Sequence, residues 1–153
     1  DLNNNGPGVA KLQLPKTTQW PNVSLANITR AITNENGGTT TGAGNLPSTF
    51  SYVGYAARLL TYQEVEKSCY NGITKINSKG GLSSKCKFLL ENTAYSNNSM
   101  NFEYWLETPQ ESNSYSVWYV NSHSRFVSLS IGNTPPYYGV RPVIEVPKSN
   151  ILF

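Results

Sequence analysis

The sequence predicts an α+β domain, a twisted antiparallel sheet with two or three short helices and long loops. Three observations carry this. Two aromatic and β-branched runs, Tyr115-Ser116-Val117-Trp118-Tyr119-Val120 and Arg125-Phe126-Val127-Ser128-Leu129-Ser130-Ile131, are separated by Asn121-Ser122-His123-Ser124, which is a hairpin pattern. In the second run Arg125, Val127, Leu129 and Ile131 share one face and Phe126, Ser128 and Ser130 the other, the period of two of a half-buried strand. Thr61 and Glu64 form a capping box ahead of Val65, the clearest helix start in the chain.

Taken in order, residues 1–8 (Asp-Leu-Asn-Asn-Asn-Gly-Pro-Gly) read as a linker or a fragment edge, and 9–153 as one domain. The alternation of Ala10, Leu12 and Leu14 predicts a first strand, stopped by Pro15. Leu25, Ile28 and Ile32 recur at helical spacing behind Ser24, a suitable cap, and predict a short helix to about Ile32. Residues 34–48 carry four glycines and no periodicity and are expected to be an exposed loop. A strand is expected over Tyr55–Leu60, running into the helix that Thr61 caps and that ends near Tyr70. Its Glu64 and Glu66 suit the positive end of the helix dipole. Ser84–Glu91 is expected to form another short helix, 92–100 a polar loop, and the sheet to continue to Val146. Pro142 lacks a ladder donor and places the last strand at an edge or a bulge.

Cys69 and Cys86 bracket a segment containing Asn71-Gly72 and Gly80-Gly81, which lets the chain double back. This favours a disulfide stapling the two helices, worth about 3 kcal/mol in the loop-entropy model. The other reading is a pair of buried thiols. Only 14% of residues are charged, with Asn, Ser, Thr, Tyr and Gly taking the surface role, as is common in extracellular domains. The net charge of +3 comes from twelve basic and nine acidic residues scattered singly, a pattern that argues against nucleic acid as a partner. No long apolar run is present for membrane insertion.

Tyr104-Trp105-Leu106-Glu107-Thr108-Pro109, then Val117-Trp118-Tyr119-Val120-Asn121, then Tyr138-Gly139-Val140-Arg141-Pro142-Val143, in that order, resemble the DUF6273-type bacterial surface domains. These are similar in turn to the formylglycine-generating-enzyme (sulfatase-modifying-factor) branch of the C-type-lectin-like fold. Arg58-Leu59-Leu60-Thr61-Tyr62-Gln63-Glu64-Val65 resembles the strand-into-helix junction Arg-Leu-Pro-Thr-x-x-Glu-Trp of that branch, departing from it at Leu60 and Val65. The resemblance spans roughly residues 56–150. It implies a C-type-lectin-like fold, with Gly139 and Pro142 in the closing strand and Arg141 as a buried anchor there. A guanidinium is buried only when its donors are met, and Glu107 and Glu64 are the expected partners.

A catalytic inventory is short: one histidine, His123, one aspartate, Asp1, and two cysteines better explained as a bridge. The enzymes of the resembled branch rely on a cysteine pair late in the domain, and no cysteine follows Cys86, so the resemblance does not bring that activity with it. The calcium-ligand motifs of sugar-binding lectins are missing too. No metal site and no cofactor are therefore expected.

What remains is a surface. Tyr115, Trp118, Tyr119, Asn121, His123, Arg125, Tyr137 and Tyr138 crowd the hairpin and the loop before the closing strand, and aromatics with short polar neighbours suit ligand recognition. The alternative is that much of this cluster is packing. Trp118 and Tyr119 are adjacent on a strand and point to opposite faces, while Trp105, Val117 and Val140 are expected in the core. The resulting expectation is a non-catalytic, extracellular adhesion module of a bacterial surface protein. Its partner would be a protein or glycan on another cell or surface, and an upstream segment could mediate self-assembly. A structural terminal module of a pilin-like or wall-associated protein is the second reading, and a degenerate formylglycine-generating-type enzyme the third.

Overall fold

A computed structural model describes residues 6–39, 48–70, 104–111, 113–121, 125–130 and 139–151. Its elements are a short helix α1 (Pro7–Ala10) continued by a 3-10 turn (Lys11–Gln13), β1 (Thr29–Ala31), β2 (Thr49–Ser51), α2 (Tyr62–Tyr70), β3 (Tyr104–Gln110), β4 (Asn113–Asn121), β5 (Arg125–Ser130) and a 3-10 turn (Lys148–Asn150). β1 and β2 form one antiparallel sheet and β3-β4-β5 another, in that order, so the class is α+β. The expected hairpin is the β4–β5 pair, in unbroken register from Ser116↔Ser130 to Asn121↔Arg125.

Three expected elements differ. The strand expected over Val9–Leu14 is helical. Pro7 takes the first helical position, where its missing N–H costs nothing, and the amide of Ala10 donates to the Gly6 carbonyl at 3.0 Å. Ala10 and Leu14, four apart, are buried, whereas Leu12 is 62% exposed, so the apolar spacing was helical rather than alternating. Gly6 and Pro7, inside the stretch read as linker, are buried as well. The helix expected over Ser24–Ile32 is absent. Thr29–Ala31 pairs with Thr49–Ser51 instead, leaving Ile28 exposed while Leu25 and Ile32 are buried. Long-range pairing here overrides a weak local period. Residues 55–60 are buried but form no continuous strand; among the described residues they make the isolated bridges Lys16↔Tyr55 and Arg58↔Val143.

The sheet β3-β4 separates two cores, because alternate side chains leave it on opposite sides. One core holds Leu14, Leu25, Ile32, Phe50, Tyr52, Leu59, Trp105, Val117, Tyr119 and Val140. The other holds Leu60, Tyr62, Val65, Tyr104, Leu106 and Val120, with Trp118 and Val143 packed against it. Trp105, Val117 and Val140 are thus in the core as expected. The closing segment joins both distant parts of the chain: Gly139 bridges Tyr104 in parallel, and Val143 exchanges two 2.9 Å hydrogen bonds with Arg58. Pro142 lies between these bridges, where no ladder donor is needed.

The helix expected at Ser84–Glu91 and the pairing of Cys69 with Cys86 fall outside the described residues.

Candidate functional site

Two arrangements meet at the β3-β4 sheet: an ion-pair network on one side of the junction before α2, and the β4–β5 hairpin. The network starts from the capping box. Thr61 Oγ1 accepts from the Glu64 amide at 3.1 Å, and Glu64 Oε2 accepts from the Thr61 amide at 2.9 Å. Both Glu64 oxygens also accept from Arg58, at 2.9 and 2.5 Å, so one carboxylate caps the helix and pairs a buried guanidinium. Arg58 Nε donates to Glu145 Oε1 at 2.8 Å and Nη1 to its neighbour's carbonyl, Leu59, at 3.0 Å.

Glu145 is shared. Arg30 Nη1 reaches the same Oε1 at 3.2 Å, and the amide of Ala26 donates to Oε2 at 3.1 Å. Arg30 then donates through Nε to Glu107 at 3.0 Å, and Glu107 accepts from the Tyr52 hydroxyl at 2.6 Å. The Tyr52 oxygen in turn accepts from the Leu59 amide at 3.2 Å, which closes the path on the residue next to Arg58. Two guanidiniums, three carboxylates and the Tyr52 hydroxyl thus satisfy one another across five separate stretches of chain.

The electrostatics follow. Burial alone would lower the Arg58 pKa, but the bonds and charge of Glu64, with Glu145 behind them, outweigh it and hold the guanidinium charged. Burial alone would raise Glu64, yet Arg58 and the Thr61 amide keep its carboxyl below the ordinary value. Burial, reinforced by Glu107, pushes the Tyr52 hydroxyl well above its usual range, so it stays a proton donor. Such a network fixes positions.

The expected partners of Arg141 are therefore reassigned: Glu64 is bound by Arg58 and Glu107 by Arg30. Arg141 is half-buried, with its guanidinium carbon 5.9 Å from the centroid of the Tyr104 ring. Burial lowers its pKa and raises that of Tyr104.

On the hairpin, Tyr119 is only 5% exposed and lies against Trp105, with ring centroids 6.0 Å apart; it belongs to the core, not to a recognition face. Trp118, on the opposite side, stacks at 4.9 Å on Tyr62 of α2 and keeps some exposure. Its Nε1 is buried and has no hydrogen-bond partner among the described residues. The backbone pairs Asn121 with Arg125 at the last rung of the hairpin. His123, Tyr137 and Tyr138 lie outside the described residues, and so do the side chains of Tyr115, Asn121 and Arg125. Among the described residues no cluster of three or more His, Cys, Asp or Glu could hold a metal ion, and no helix is long and apolar enough to cross a membrane.

Sequence reasoning found Thr61, Glu64, Trp105 and Gly139, but missed Arg30, Tyr52, Arg58 and Glu145 as partners. The one available signal was Arg58 itself, a charge in a run of apolar residues, Ala56-Ala57-Arg58-Leu59-Leu60, which marks a buried cation that must find carboxylates.

Comparisons with protein-family models, with curated proteins and with solved structures return no match to this chain.

Proposed function

We propose that this chain is a non-catalytic binding module, of C-type-lectin-like fold and displayed at a bacterial cell surface, whose recognition region is the tip of the β4–β5 hairpin together with the loop before Gly139. The observation that carries the reading is the burial of β4. Ser116, Val117, Tyr119 and Val120 are buried and Trp118 packs on α2, so the strand faces are used up in holding the domain together. The hairpin pairing runs one rung beyond the buried Val120, to Asn121↔Arg125, and the sequence puts Ser122-His123-Ser124 between those two residues. A strand anchored in two cores is a suitable mount for a recognition loop. The buried Glu107 and the partly exposed Glu64 and Glu145 are engaged by arginines, which suits a scaffold role for them.

The test is recognition of a partner found on a glycan or protein array. Replacing Tyr115, His123 and Tyr137 together by alanine is expected to abolish binding with the melting temperature nearly unchanged, since exposed substitutions shift stability by about 0.5 kcal/mol or less. A large loss of stability would assign the three to packing. EDTA is expected to leave binding intact, and a loss of binding in chelator would replace this reading with a calcium-dependent one.

A further inference from the structure

We propose that Asn36-Gly37 is a site of spontaneous deamidation, and that its conversion undoes the tie between the turn at residues 34–38 and the end of β3. The turn is a tight one, closed by the Thr33↔Thr39 bridge and organised around Asn34. Asn34 Oδ1 accepts from the amides of Asn36 at 3.0 Å and Gly38 at 2.9 Å, and the Asn34 carbonyl accepts from Gly37 at 2.9 Å and from Gln63 Nε2 of α2 at 2.5 Å. Asn36 is exposed, and its Nδ2 donates to Glu111 Oε2, just beyond β3. A second contact, from the Glu111 amide to Glu35 Oε2 at 2.7 Å, holds the same junction.

The chemistry needs only water. The deprotonated Gly37 nitrogen attacks Asn36 Cγ, a C–N bond forms, the bond from Cγ to Nδ2 breaks, and ammonia leaves with the proton. The resulting cyclic imide takes up water at either carbonyl, giving aspartate or isoaspartate, with no change of oxidation state. Glycine is what makes this step accessible: Gly37 has no side chain beside its nitrogen, and its φ of 80° and open surroundings leave the approach clear. In the folded turn the Gly37 amide is engaged with the Asn34 carbonyl, so the reaction proceeds more slowly than in a free peptide and follows local opening of the turn.

Either product changes the junction. A carboxylate at position 36 replaces a donor facing Glu111 with a like charge. Isoaspartate also adds one carbon to the backbone between the two amides that share Asn34 Oδ1, which breaks that pairing. Both effects fall on the one turn that clips α2, through Gln63, to the end of β3.

The folded protein and a synthetic peptide of residues 33–39 are incubated side by side at mildly alkaline pH, and the products are located by peptide mapping with isoaspartate detection. Conversion at Asn36 in the protein, slower than in the peptide, is expected. Asn36→Asp is expected to lower Tm by about 1–2 °C at low salt, with the gap closing in molar salt and in the double variant with Glu111→Gln. An unconverted Asn36 after the peptide has fully reacted would overturn the site. A Tm gap in Asn36→Asp that neither salt nor Glu111→Gln reduces, or no gap at all, would overturn the proposed loss of the Glu111 tie.

Discussion

Arg58 and Glu64 meet through two parallel hydrogen bonds, Nη1 to Oε2 at 2.9 Å and Nη2 to Oε1 at 2.5 Å, while the same Glu64 caps α2 through the Thr61 amide. The start of the helix and the burial of the arginine are therefore one event. Anything that loosens the cap also loosens the guanidinium, whose other bonds reach the closing segment at Glu145.

Thr61→Ala removes one half of the reciprocal cap and is expected to cost about 1 kcal/mol of unfolding free energy in urea denaturation. Its effect in a Glu64→Gln background is expected to be smaller, because the two residues serve one motif, and a double-mutant cycle measures that coupling. Additive losses would mean that the two hydrogen bonds act independently.

Glu107 is buried between Arg30 and Tyr52, and Glu107→Ala leaves a guanidinium without that carboxylate. A loss of about 3 kcal/mol is expected from chemical denaturation, near the lower end for a broken buried pair because Arg30 keeps some exposure and its bond to Glu145. Tyr52→Phe is expected to cost about 1–3 kcal/mol, since the Leu59 amide then loses its acceptor inside the core.

Stability should fall in acid through Glu64. Its folded pKa is held below the 4.5 of an unperturbed carboxyl, so the unfolded chain binds its proton first as pH drops. The stabilisation is thus fully present above pH 4.5 and is lost as pH falls from there through the depressed folded value. Urea midpoints measured across this window should decline in the wild type and decline less in Glu64→Gln; equal slopes would remove Glu64 from the acid response.

The two neighbouring aromatics of β4 should respond differently. Tyr119→Ala empties a packed site beside Trp105 and is expected to cost about 3–5 kcal/mol. Trp118→Phe deletes a buried donor that has no partner among the described residues, and the area lost is offset by the removal of that donor, so a change of less than about 1 kcal/mol is expected. Comparable losses in the two variants, read from denaturation midpoints at equal slope, would contradict the assigned packing.

The parts of the fold legible in the sequence were those whose cause lies within a few residues. Thr61 and Glu64 declare a cap in four positions, and the runs around Asn121 declare a hairpin by their alternation. At Ala10, Leu12 and Leu14 the same kind of local reading failed, because apolar residues two and four apart fit a strand and a helical turn alike, and only the fate of Leu12 separates them. The network was out of reach for a different reason. Arg30 finds Glu107 and Glu145 across 77 and 115 residues, and no pattern in a single chain pairs charges at such distances. Arg141, the charge singled out near the end of the chain, was assigned carboxylates that Arg58 and Arg30 hold.

Glu145 sets an order of events during synthesis. The groups that bind it, the Ala26 amide, Arg30 and Arg58, precede it by 119, 115 and 87 residues. While the chain grows at about 5–20 residues per second, both arginines are made several seconds before the carboxylate that joins them. Through that interval Glu64 and Glu107 can hold one arginine each, joined through Tyr52 and the Leu59 amide, but the two guanidiniums do not yet share a carboxylate. The shared carboxylate is supplied last, and a nascent chain arrested before position 145 should be more open to protease between Arg30 and Arg58 than one that includes it.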